Sequence, residues 1–346
     1  MDYKENIRID LHIHSTASDG TSTPSEIITM AQDFGLGAIS ITDHDTLAGS
    51  KEALGLSIPA AIELITGVEI SASPIAPFDS VSSYHILGYF IRLDDPVLNR
   101  TLDELQQIRR MRNQKILQRL NSMGIMITMG DLRKGVDAGE IGRPHIATAL
   151  LEKKIVHSID EAFNQYLGQG KPAFVDKQRL SCLKAIQIIS DAGGVPVLAH
   201  PGLLNFDQEN DLEALIVALK EKGLKGIEAY YPEHSDQQVQ QLIRIASSHD
   251  LLLTGGTDFH GDLKPELKMG IGYGALHVPY GLFESLRQCA HVPDNISKLE
   301  KKLGYGFQNR SILSEAIRHS SFVNEQSIPD MRDNERFEFL GDAVLS

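Results

Sequence analysis

The stretch Asp10-Leu11-His12-Ile13-His14-Ser15-Thr16-Ala17-Ser18-Asp19-Gly20 places two histidines two residues apart, with a carboxylate on each side. The run Ile7 to Ile13 reads as a buried strand, in which side chains alternate faces. His12 and His14 therefore point the same way, and Asp10 lies on that side too. Two imidazoles and a nearby carboxylate, here Asp19 past a Ser/Gly turn, are natural ligands for a divalent transition metal. A pair of strand histidines with a helix-capping Asp is the plainer reading, and this stretch alone does not choose between them.

The elements that must position these residues follow in order. Thr23-Pro24-Ser25-Glu26 is a capping box with Pro at the first helical position. It predicts a helix through about Phe34, closed by Gly35. Strand-like runs follow at Ala38–Asp45, Glu63–Ser71, Ser83–Ile91, Val195–His200, Gly226–Tyr231 and Leu251–Asp258. Helical stretches at about Cys182–Ala192, Leu212–Lys222 and Asp236–Ser248 separate the later ones. Strands alternating with helices predict a parallel sheet, and about seven βα units fit a barrel-like closure.

Polar residues gather at the C-terminal ends of these strands: His44, Glu69, His200, Asp258 and His260. In a βα barrel that rim is where active sites are built. Of the thirteen histidines, six fall on the strands or their ends: His12, His14, His44, His85, His200 and His260. That placement favours the metal reading. With Asp19, Glu69 and Asp258 these are too many ligands for one ion. Asp258 and His260 repeat the two-residue spacing of His12 and His14, and a carboxylate such as Glu69 can bridge two ions. Two or three adjacent metals suit phosphate ester hydrolysis. The residues themselves do not choose between phosphate esters and amides.

Between Asp94 and about Lys177 the alternation lapses, which predicts a helical insertion. A long helix from Leu98 to about Met123 carries Arg100, Arg109, Arg110, Arg112, Lys115 and Arg119 against only Asp103 and Glu104. It is either a solvated face or a basic arm that holds a phosphate backbone near the rim. Gly142-Arg143-Pro144-His145 then opens a helix, where Arg143 and His145 could hold a phosphate at an N-terminus. An ordinary cap with a stray His is the alternative. Gly270-Ile271-Gly272-Tyr273-Gly274 is glycine-rich but lacks dinucleotide-binding spacing.

Composition sets outer bounds. At 346 residues the chain holds one large α/β domain plus something smaller. No apolar run approaches a membrane span, and the first residues lack the apolar core of a signal peptide. Two cysteines without zinc-type spacing fit a reduced, cytoplasmic protein. The net charge of -13 argues against broad nucleic-acid binding but not against a narrow basic site.

The first motif strongly resembles that of the PHP (polymerase and histidinol phosphatase) family. Thr42-Asp43-His44-Asp45, Gly67-Val68-Glu69-Ile70-Ser71, His85, Ala199-His200-Pro201-Gly202 and Thr257-Asp258-Phe259-His260-Gly261 resemble its later motifs, in order. The resemblance implies a distorted seven-stranded βα barrel over residues 1–290, with the insertion at about 94–177. It also implies a three-ion manganese, zinc or iron site. By motif, His12, His14, Glu69 and Asp258 would hold the first ion. Glu69, His85 and His200 would hold the second, and Asp19, His44 and His260 the third. A metal-bound hydroxide would be the nucleophile. Asp43 would lie behind the ligands and Asp45 in a turn.

The insertion is similar to one branch of that family, which removes phosphate from 3',5'-nucleoside bisphosphates or trims short 5'-phosphorylated RNA from its 5' end. Arg143 and His145 would then contact substrate phosphate. Residues 291–346 resemble the start of a ribonuclease III domain, with helices at Lys298–Leu303, Ile312–Arg318 and Asn334–Leu345. There Glu335, Glu338 and Asp342 share one helix face and would form half of a magnesium site. The expected partners are thus a nucleotide or short RNA. The competing readings are a ribonuclease III-type double-strand nuclease with an accessory PHP domain, and a non-catalytic RNA-binding module.

Overall fold

A computed structural model describes residues 7–78, 83–132, 142–176, 178–204, 206 and 211–291. The expected C-terminal helices, with Glu335, Glu338 and Asp342, lie outside the described residues. The first unit of the chain is Met1–Cys289.

The elements run β1 (Arg8–Ile13), α1 (Pro24–Asp33), β2 (Leu36–Ile41), α2 (Ala48–Leu54), β3 (Glu63–Ser73), β4 (Tyr84–Tyr89), α3 (Pro96–Ser122), α4 (Met129–Leu132), α5 (Arg143–Glu152) and α6 (Ile159–Ala162). Then follow β5 (Leu180–Ser181), α7 (Cys182–Asp191), β6 (Val195–Leu198), α8 (Asp211–Glu221), β7 (Gly226–Tyr230), α9 (Asp236–Ser248), β8 (Leu252–Gly255) and α10 (Tyr280–His291). The capping box forms as its sequence predicts, with the Thr23 hydroxyl accepting from the Glu26 amide.

Seven strands make one curled sheet in the order β1-β2-β3-β4-β6-β7-β8, and the short β5 pairs with the end of β3. The seam is held where Ile13 bridges Phe259 in parallel and the His14 amide donates to the Phe259 carbonyl at 2.9 Å. Strands β1 and β2 are buried almost throughout, as expected of strands covered on both faces.

The sheet is mixed, where the sequence predicts a parallel one. β4 runs antiparallel to both β3 and β6. The reason is the connection: no helix is described between β3 and β4, and a parallel neighbour needs a crossover. The reversal has a benefit for the site. It pairs His85, at the start of β4, with Ser71, near the end of β3. His85 thereby joins the rim where the parallel strands end.

Helix α3 starts at the opposite end of the sheet and is capped by Asp95, whose carboxylate accepts from the Val97 and Leu98 amides. Its first half packs Leu98, Leu102 and Leu105 on the main core. Its second half packs Ile116, Leu117 and Leu120 in a separate apolar cluster with Ile146, Leu150 and Leu167. All elements described between β4 and β5 are helical. Among the described residues, no helix is long and apolar enough to cross a membrane.

Candidate metal centre

The ligand candidates reach the rim from several strands and the turns that follow them. His12 lies in β1 and His14 just after it; Glu69 lies in β3 and His85 in β4; His44, His200, Asp258 and His260 follow β2, β6 and β8. Their donor atoms form three groups, each within 4.8 Å: His12, His14, Glu69 and Asp258; His14, Asp19, His44 and His260; and His44, Glu69 and His85. His200 stands beside the last group, its Nε2 3.2 Å from both Glu69 Oε1 and His85 Nδ1.

Glu69 is the hub. Its Oε2 lies 3.4 Å from His12 Nε2, 3.2 Å from His14 Nε2 and 3.0 Å from His44 Nδ1. Its Oε1 lies 2.8 Å from His85 Nδ1. Several of these atoms are buried without a hydrogen-bond partner: His12 Nε2, both ring nitrogens of His14, Asp19 Oδ1, His44 Nδ1 and Glu69 Oε2. Buried polar atoms that converge without hydrogen-bonding one another are what a cation would satisfy. The donor set therefore fits divalent metal.

The electrostatics agree. Burial opposes ionisation of Glu69, Asp19 and Asp258, yet the surrounding imidazoles hold all three well below the usual carboxylate range. Burial also disfavours charge on His14, but Asp258 and Glu69 outweigh it and lift that ring to about 10. His85 is pushed down to about 4, chiefly by burial and against the pull of Glu69.

Behind the ligands stands a layer of buried acids. Asp43 accepts from the Ser15 amide and hydroxyl at 2.7 Å and from the Ser18 hydroxyl at 2.6 Å, holding the loop that carries Asp19. Asp10 is turned away from the three groups, although alternation puts it on the face of His12. Its carboxylate accepts from the Thr257 amide and hydroxyl and from the Gly270 amide, which pins the approach to Asp258. Asp258 and His260 do not repeat the strand spacing of His12 and His14, because β8 has ended and Asp258 takes a left-handed φ of 53°. His200, at φ 31°, and Asp45, at φ 54°, share this unfavourable region, a cost that concentrates at functional rims.

Sequence reasoning missed Glu228. It is fully buried in β7, with Oε1 3.0 Å from His12 Nδ1, and its Oε2 accepts from the His200 amide at 2.8 Å. A carboxylate inside the apolar run Gly-Ile-Glu-Ala-Tyr was the available signal. Tyr231, also missed, donates its hydroxyl to Asp258 Oδ2 at 3.0 Å.

A cleft of ≈ 210 Å³ opens beside Asp19, His44 and His85 and is lined by Arg109, Arg112, Arg143 and Arg179. The face of α3 therefore splits: Arg100, Arg110, Lys115 and Arg119 are exposed, whereas Arg109 and Arg112 are buried. Arg109 pairs with Asp45, whose other oxygen accepts from the Ser71 amide at 3.0 Å. Asp45 is thus more than a turn residue. Burial, with Arg109, Arg143 and Arg179 nearby, pushes Arg112 down to about 9, and its Nε is buried without a hydrogen-bond partner. Arg143 sits over the Phe174 ring, 5.7 Å from its centre. His145 accepts from the Gly142 amide through Nδ1 at 2.9 Å, so it caps α5, and it stands near Asp19, Arg109 and His260.

The PHP domain family matches residues 10–166. A 5'-3' exoribonuclease of Haemophilus influenzae is 36% identical over 253 residues, covering 73% of this chain and 90% of that enzyme. A 3',5'-nucleoside bisphosphate phosphatase of Chromobacterium violaceum is 33% identical over 254 residues, 73% of this chain and 87% of that one. A solved structure from Bifidobacterium adolescentis, described as a metal-dependent phosphoesterase, superposes with a TM-score of 0.71 at 30% identity over 84% of this chain and 98% of its own. The C-terminal region is similar to Ribonuclease 3 of Nitratidesulfovibrio vulgaris, 45% identical over 69 residues, which is 19% of this chain and 27% of that enzyme.

Proposed function

The chain belongs to the PHP family, and from that premise we propose that it is a metal-dependent phosphoesterase acting on 3',5'-nucleoside bisphosphates and on the 5' end of short RNA. One observation carries the substrate class. Four guanidiniums converge on a cleft that borders Asp19, His44 and His85. Asp45 pairs with Arg109 and Asp176 with Arg179, yet Arg112 still feels repulsion from its three guanidinium neighbours. An anion of high charge density relieves it, and planar guanidiniums match phosphate oxygens.

We assign the chemistry to residues 1–290, with 94–177 as a helical insertion. His12, His14, Glu69 and Asp258 would hold one ion, Glu69, His85 and His200 a second, and Asp19, His44 and His260 a third, with manganese the favoured metal. When bound, such ions neutralise phosphoryl oxygens and lower the pKa of water. The protein's own part is positional. Glu69 keeps five imidazoles on one carboxylate. Glu228 fixes the His12 ring through Nδ1 and leaves Nε2 facing Glu69 and Asp258. Arg109, anchored by Asp45, and Arg112, Arg143 and Arg179 hold a terminal phosphate one cleft away from the phosphate that reacts.

Manganese-loaded protein is to be assayed on adenosine 3',5'-bisphosphate, 5'-phosphorylated short RNA and double-stranded RNA. Turnover of the first two is expected. Absence of both activities overturns the reading, and cleavage of the duplex alone moves the activity to the C-terminal region.

A further inference from the structure

A second cleft, of ≈ 350 Å³, lies between the end of β7, the start of α9 and the 273–277 loop. Tyr230, Tyr231, Tyr273 and His277 line it, with Pro232 and Leu276. Among the described residues, none lines both this cleft and the arginine cleft. Tyr231 links it to the metal centre. Its hydroxyl donates to Asp258 Oδ2, and its ring centre is 5.4 Å from that of His200. The two clefts therefore meet the centre from different sides, one at Asp19, His44 and His85, the other at Asp258 and His200. Lys264 stands on the second side, its Nζ 3.8 Å from Asp258 Oδ2 and 3.9 Å from Glu233 Oε1.

The loop is built to present an aromatic ring. Gly270, Gly272 and Gly274 take φ of 76°, 56° and 113°, a region open to glycine. Lys268 and Gly272 exchange backbone hydrogen bonds at 2.9 and 2.8 Å, which fixes the turn. Tyr273, between two of these glycines, is left 55% exposed. The glycine-rich run that suits no dinucleotide thus has a structural use.

A hydrolase that works from a 5' end holds the terminal nucleotide on one side of the scissile phosphorus. Whichever phosphorus–oxygen bond breaks, the next nucleoside lies on the other side. With the terminal phosphate among the four arginines, the rest of the strand must leave by a different route. We propose that the tyrosine cleft is the subsite for the second nucleotide of an RNA strand, whose base stacks on Tyr273 while Lys264 accompanies the backbone. The proposal rests on the phosphoesterase reading above. Aromatic rings bind bases of any sequence through their faces, so the subsite selects length rather than sequence. A nucleoside 3',5'-bisphosphate has no second base and does not use it.

The test compares kcat/KM for adenosine 3',5'-bisphosphate and for a 5'-phosphorylated RNA dinucleotide. Tyr273→Ala is expected to lower the dinucleotide-to-bisphosphate ratio about tenfold, chiefly through KM, and Tyr273→Phe to restore it. A second readout needs no turnover. 2-Aminopurine at the second position of the dinucleotide should lose fluorescence on binding metal-free protein, and Tyr273→Ala should abolish that loss. An unchanged ratio in Tyr273→Ala, or no quenching by the wild-type protein, overturns the subsite. Failure of the wild type to hydrolyse either substrate overturns the phosphoesterase reading instead, and the quenching still decides whether a base stacks here.

Discussion

Nδ1 of His12 lies 3.0 Å from Oε1 of Glu228, across 216 residues of sequence, and both side chains are fully buried. The carboxylate selects which ring nitrogen is left for a metal and makes it more basic. Glu228→Gln keeps the shape and removes the charge. Metal affinity should fall about 10- to 100-fold, read by titration of the metal-free protein, with an unchanged far-UV circular dichroism spectrum. Undiminished affinity would mean that Glu228 serves the fold alone.

His12→Ala should lose metal and activity together, because His12 Nε2 faces both Glu69 and Asp258. Metal content by elemental analysis and hydrolysis of adenosine 3',5'-bisphosphate are the paired measurements. Activity that survives in the variant places the chemistry away from the rim.

If the arginine cleft holds phosphate as proposed, binding and chemistry can be separated by mutation. Arg112→Met keeps most of the buried stem and removes the guanidinium. It should raise KM for the bisphosphate by about tenfold or more, the usual size for a charge-assisted contact, with metal content unchanged. It should not lower thermal stability, since Arg112 is charged against Arg109, Arg143 and Arg179 and is pushed down to about 9. A large drop in melting temperature would show that the guanidinium holds the fold.

Metal uptake should be coupled to protons. With no metal bound, His14 is lifted to about 10 by Asp258 and Glu69, in spite of burial. A raised value means that His14 carries a proton throughout the neutral range, and an entering cation must displace it. Apparent affinity should therefore rise with pH from neutrality towards about 10, up to tenfold per unit for each proton released. Calorimetry in buffers of different ionisation enthalpy counts those protons. Affinity independent of pH over this range contradicts the coupling.

Much of the rim is legible in the chain because ligand and strand share one pattern. His12 and His14 are marked by alternation, and His44, Glu69 and His200 by their position where apolar runs end. Asp258 and His260 sit at the same rim for another reason, a left-handed residue after β8, which alternation does not describe. The reversal of β4 goes against the parallel sheet that the sequence predicts, although no helical stretch is expected between Glu69 and His85. What local pattern does not reveal is pairing across the fold. Nothing near Glu228 announces His12, and nothing near Arg179 announces a cleft shared with α3. Arg109 and Arg112 are intermediate. They fall on the same helical stripe as Leu105 and Ile116, which distinguishes them from the exposed Arg110 and Arg119.

The reversed β4 also sets where α3 begins. The strand descends from His85 to Tyr89, so the helix starts from the foot of the sheet and climbs back. Its 27 residues reach about 40 Å, twice the roughly 20 Å of the six-residue strand beside it. The surplus length stands above the rim like a mast, with Arg109 and Arg112 where it passes the ligand candidates and the small apolar cluster of α4–α6 at its top. Every metal-ligand candidate except Asp19 lies on a strand or just past its end, whereas three of the four arginines belong to that superstructure. The fold thus divides its labour between a hull and its rigging. Exchanging residues 94–177 between relatives should carry substrate preference with them and leave the metal chemistry behind.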